Sequence, residues 1–115
     1  MMDANQLIGQ QVHVRAADLF GVPAPAVVRA IGPDSISLLL EFVPPIQIDT
    51  KTYPFAVVHP RLQRDNLGVF LTDGVLGCAV TCVPRDRYDS AKPFDMTWWR
   101  GGGATVADLL LSCRN

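Results

Sequence analysis

The sequence predicts a mainly β fold, a small β-barrel or compact sandwich of about six or seven short strands with short helical turns at the termini. Three observations carry that expectation. Apolar and polar residues alternate with the period of two of a half-buried strand, first at Val12, Val14 and Ala16 and again at Ile36, Leu38, Leu40 and Phe42. Glycine and proline punctuate the chain at short intervals. Reflecting residues 67–80 about Asp73-Gly74 brings Leu71 opposite Leu76, Val69 opposite Cys78 and Leu67 opposite Val80, one wholly apolar face. Asp-Gly suits a two-residue hairpin loop because both central positions need φ > 0. Phe70 then falls opposite Gly77, where a ring can cover the bare backbone of a glycine.

Taken in order, Asp3 caps a short turn through Ala4 to Ile8, Gly9 interrupts it, and residues 11–16 form a strand that leaves His13 and Arg15 outward. The loop Gly21-Val22-Pro23-Ala24-Pro25 is stiff because proline fixes φ, and it feeds an apolar stretch over residues 26–31. Gly32-Pro33-Asp34-Ser35 is a turn. The next strand places Ser37 and Glu41 opposite its apolar side, with Leu39 between them, and Pro44-Pro45 ends it. Residues 46–52 are a loop or irregular edge carrying Asp49 and Lys51. Extended structure resumes over 53–59, where Pro54 marks an edge or a strand start. Residues 60–66 are a charged connection, and the hairpin follows. Residues 84–93 hold five charged side chains in ten and form a long exposed loop, after which 94–100 form a last strand. Thr105-Val106-Ala107-Asp108 is a weak capping box, so the chain ends in a short helix or a final strand.

The opening order of Gly9, Val12, Val14, a loop, an apolar strand, a Gly-Pro-Asp turn and a longer amphipathic strand resembles SH3-like barrels in general. The likeness covers about a third of the chain and lies in spacing, so no functional residue is carried over from it.

Size and composition limit the function classes. At 115 residues the chain makes one domain, spanning 1–115, with enough core to stand without staples. Hydrophobic residues reach 49% and charged residues only 18%, which excludes a polar disordered chain and predicts that some surface docks on a partner. A formal charge of −1 gives no overall drive toward nucleic acid or an anionic membrane. The start lacks a basic region followed by an apolar one, and no apolar run is long enough to cross a bilayer, so a soluble cytoplasmic protein with no membrane partner is expected.

The chemically interesting residues each have a plainer explanation. Cys78 and Cys82 share a strand, and four extended residues span about 13 Å, too far for one ion. Buried thiols acting as small hydrophobes are expected, with no metal or cofactor, and Cys113 is an incidental thiol. His13 and His59 are the only histidines. Neither lies in a recognisable catalytic motif, and no catalytic residue is assigned.

The strongest binding candidate is Trp98-Trp99-Arg100-Gly101-Gly102-Gly103. Adjacent tryptophans on a strand point to opposite faces, so if one fills the core the other meets solvent. Trp99 and Arg100 are of the types most enriched at binding hot spots, and Gly101 allows close backbone approach. Tyr88 and Arg87, from the charged loop, support the patch; the plainer alternative packs both indoles. The expected function is therefore a non-catalytic barrel that docks to another protein or to itself, self-association being favoured by a Pro54 edge. A nucleic-acid-binding barrel and a small enzyme of unrecognised type are the alternatives. Asp86, Asp89 and Asp95 offset the bases that the former would need.

Overall fold

The computed structural model describes residues 4–61, 67–95 and 105–111. Six antiparallel strands follow in chain order, β1 (Gln11–Arg15), β2 (Ala24–Ile31), β3 (Leu38–Ile48), β4 (Lys51–Pro60), β5 (Val75–Val83) and β6 (Thr105–Leu111). Each pairs with the next, and β6 pairs back onto β1, closing a barrel. Among the described residues the chain is thus the small, mainly β barrel that its alternation predicts, and the sandwich alternative falls away.

Every strand turns one face inward. Val12 and Val14, Ala26 and Val28, Leu38, Leu40 and Phe42, Ala56 and Val58, Leu76 and Cys78, and Ala107 and Leu109 form one buried cluster. Small and large side chains share the lumen, as a narrow barrel requires. The N-terminal helical turn (Ala4–Leu7) inserts the buried Leu7 at one mouth, and Phe20 packs edge to face on Phe42, ring centroids 6.1 Å apart.

The expected hairpin at Asp73-Gly74 is not formed. Leu67–Asp73 is a short helix, α1. Leu67 and Phe70 are buried and Leu71 half-buried, the i, i+3, i+4 spacing of a helix face. Gly74 has φ 81° and donates its N–H to Phe70 O at 2.8 Å, so it closes the helix. Asp-Gly serves a hairpin corner and a helix stop equally well, and the positions flanking β5 are already filled by β4 and β6. Leu76 pairs with Leu109, Cys78 with Pro60 and Ala107, and Val80 with Val58 and Thr105. Phe70 plugs the barrel mouth beside the N-terminal turn instead of covering Gly77.

At two further places proline does not break the sheet as its position in the sequence predicts. Pro44-Pro45 does not end β3, because a register shift between Glu41 and Ile46 absorbs both rings, and the Val43-Pro44 bond is cis. Residues 46–52 are then the end of a β3–β4 hairpin, with Asp49 and Thr50 between paired Ile48 and Lys51 and Asp49 at φ 56°. Pro54 lies in the same irregular stretch of β4, a strand paired on both sides. It marks no edge, and a closed barrel leaves none for self-association.

A smaller correction concerns polarity. Ile36, expected inside, sits in the turn and is 48% exposed, whereas Ser37, expected outside, is 1% exposed. Of the short helix or final strand expected from Thr105 onward, the structure has the strand, β6. Of the strand expected over 94–100, Phe94 and Asp95 belong to a turn and the rest lie outside the described residues.

Candidate functional site

Among the described residues the outer wall has a covered part and a part that nothing covers. Over β3 and β4 the outward residues Leu39 and Val57 are as apolar as the lumen, and the segment leaving β5 explains why. Residues 84–95 fold back as a strap, with a helical turn at Arg85–Arg87, and bury Leu39, Val57 and Val83 in a second small core with Phe55, Tyr88 and Phe94. Tyr88 stacks on Phe55 with ring centroids 3.9 Å apart and planes 12° from parallel. Its ring is therefore engaged within the chain. Arg87 is exposed on the same strap, and Trp99, Arg100 and Gly101 lie outside the described residues, as does Trp98.

Across the other part, register builds an apolar belt. Val75 lies opposite Leu110, Leu110 opposite His13, and His13 opposite Pro25. Val27, Val43 and the polar Gln11 join His13 and Pro25 in lining a groove of about 240 Å³. Val75 and Val43 are 45% and 50% exposed. Nothing in the chain covers them among the described residues. Each flank of the belt carries a balanced ion pair, Arg15 donating to Asp108 at 2.9 Å on one side and Arg29 donating to Glu41 at 2.7 Å on the other. Arg61 approaches Asp108 at 3.7 Å.

At the mouth that α1 plugs, the β2–β3 turn meets the end of β4 through three polar side chains. Asp34 Oδ1 accepts from the Ile36 and Ser37 amides at 3.1 and 2.9 Å, and Asp34 Oδ2 accepts from the Ser37 hydroxyl at 2.6 Å. The same hydroxyl oxygen lies 2.6 Å from His59 Nδ1. Burial raises the Asp34 pKa, but the Ser37 hydroxyl, the two amides and the nearby His59 outweigh it and leave the carboxyl below its ordinary value. Phe94, at the far end of the strap, closes over Gly32 beside this cluster. His13 and His59 are thus on separate parts of the barrel, and only His59 is joined to a carboxylate.

Cys78 is buried and Cys82 half-buried, and burial pushes the Cys82 thiol up to about 12, so neither is a ready nucleophile or ligand. Among the described residues no three His, Cys, Asp or Glu side chains are grouped as a metal ion needs. An open cleft of about 420 Å³ is lined by Lys51, Thr52, Pro84, Arg85 and Asp86, where one acid offsets part of the basic charge. No helix among the described residues is long and apolar enough to cross a membrane.

Comparison of the chain with protein-family models, with curated proteins and with solved structures finds no match. Sequence reasoning found the outward position of His13 but missed the belt, whose signal was Val27 and Val43 on outward strand positions. It read Asp34 only as a turn residue, although Asp two or three positions before Ile36 and Ser37 is the pattern of a side chain that caps turn amides. The link to His59 is 22 residues away in sequence and has no local signature.

Proposed function

We propose that this chain is an interaction barrel without a catalytic role, and that it docks through its bare belt onto a second copy of itself. The supporting observation is the belt, which crosses β5, β6, β1, β2 and β3 and keeps Val43 and Val75 uncovered among the described residues, while the strap buries the comparably apolar face of β3 and β4. A two-fold contact must be complementary to itself. An apolar centre meets that condition, and so does a flank that carries both signs of charge, since Arg15 of one copy can reach Asp108 of the other, and Arg29 can reach Glu41. A nucleic acid would need an excess of base along the patch, which paired flanks do not supply. The resemblance of the opening strands to SH3-like barrels and a cytoplasmic location belong to the same proposal.

Light scattering over a range of concentrations tests it. The wild type is expected to be dimeric and Leu110→Glu or Val43→Glu monomeric, with dimer affinity reduced by at least about tenfold, the equivalent of about 1.4 kcal/mol. A wild type that stays monomeric at high concentration overturns the proposal, as does a dimer indifferent to both substitutions. Salt-sensitive retention on single-stranded DNA by the monomer would assign the surface to nucleic acid instead.

A further inference from the structure

The Asp34, Ser37 and His59 cluster carries an inference independent of docking. An ionised carboxylate only accepts hydrogen bonds, and a hydroxyl has one proton to give. At 2.6 Å from Asp34 Oδ2, the Ser37 proton is committed to the carboxylate. The Ser37 oxygen, equally close to His59 Nδ1, must then accept, so Nδ1 carries the ring hydrogen. Were the hydrogen on Nε2 instead, the neutral ring and Asp34 would both demand the same serine proton, leaving one 2.6 Å contact between two lone pairs. In the neutral ring Nε2 is consequently a bare lone pair, on a residue that is exposed, while Ser37 behind it is 1% exposed.

We propose that Asp34, Ser37 and His59 form a proton relay that makes His59 Nε2 a nucleophilic modification site for acylating electrophiles, activated esters or anhydrides of small carboxylic or carbonic acids. Nε2 attacks the carbonyl carbon, a carbon–nitrogen bond forms, and the bond from that carbon to the leaving oxygen breaks with its electron pair. The ring, momentarily cationic, gives its Nδ1 proton to Ser37 Oγ as the serine proton passes to Asp34, so the product is a neutral acyl-imidazole beside a protonated carboxyl. That carboxyl then returns its proton to water. Ser37 and Asp34 are positioning residues, the first fixing the tautomer and the second receiving the charge. Other charged groups near this corner among the described residues are Arg61, just beyond β4 and leaning toward Asp108, and Asp95 next to Phe94. On the β5 side His59 pairs with Ala79, which does not titrate.

Ring nitrogen–proton correlation NMR together with diethyl pyrocarbonate labelling, read site by site by mass spectrometry, tests the relay. In the wild type the His59 hydrogen is expected on Nδ1. Ser37→Ala is expected to share it between the two nitrogens and to slow ethoxycarbonylation of His59 by about tenfold, the scale of one strong hydrogen bond lost. Asp34→Asn, whose single carboxamide oxygen is taken by the Ile36 and Ser37 amides, turns its NH2 toward Ser37 Oγ, releases the serine proton to Nδ1, and is expected to move the ring hydrogen to Nε2 and slow the reaction similarly. His13, on the belt, serves as the internal reference and should keep its rate in both variants. A wild-type ring protonated on Nε2 overturns the relay, and so does a His59 rate unchanged by both substitutions.

Discussion

Asp34 shows how much one exposed side chain can organise. It gathers two backbone amides and a hydroxyl that would otherwise be left at the rim of the barrel, where Ser37 has no access to water. Its folded-state pKa is lowered, so its contribution to stability is fully present above its unfolded value of about 3.8 and is lost as pH falls through the still lower folded value. Asp34→Asn is accordingly expected to destabilise the protein modestly at neutral pH, solvent screening at this exposed site limiting the effect, with the gap narrowing as pH falls below the unfolded value of 3.8, as measured by denaturant unfolding across that range. An unchanged gap between variant and wild type at low pH would show that the charge plays no part. Cys82 carries the opposite lesson: its burial, which holds the thiol at about 12, predicts that iodoacetamide labels it in the native protein no faster than the chain opens. Labelling at the rate of an unfolded cysteine would contradict that burial.

Helix α1 is the element where sequence and structure part company, and the reason is physical ambiguity. Leu67, Phe70 and Leu71 fit a helix face, while Leu67 and Leu71, taken with Leu76 and Val80, fit a hairpin face. Seven residues are too few for either period to exclude the other. Strand pairing decided it, since β5 is flanked by β4 and β6. Phe70→Ala distinguishes the alternatives by experiment. From its place in the barrel mouth, fully buried, it should cost about 3–5 kcal/mol, whereas the outward position it would occupy in a hairpin would make the change nearly neutral. Elsewhere the alternation was legible: β1 with Val12 and Val14 inside, the body of β3 with Leu38, Leu40 and Phe42, and the inward face of β5 all emerge as read. The prolines of β3 and β4 were misjudged because a register shift that accommodates them leaves no trace in the local pattern.

For the whole molecule, closure is what converts these elements into a surface. A barrel with no edge cannot associate by adding strands, so any association has to use side chains on its wall. The strap covers one part of that wall and, among the described residues, leaves Val43 and Val75 of the belt exposed. Beyond the outward Val27 and Val43, little of the belt was legible in the sequence, because it is assembled from residues on five strands and depends on their register. The charges of residues 84–93 predict a long exposed loop, and the signal that it is held down lies in Tyr88 and Phe94, which pack against Leu39 and Val57 of β3 and β4. Most direct is an isotope-filtered NOE experiment on protein mixed from labelled and unlabelled chains, which records only contacts between copies. Cross-peaks between copies from the methyl groups of Val43, Val75 and Leu110 are predicted; none from these residues, or contacts arising only at the strap, would contradict docking through the belt.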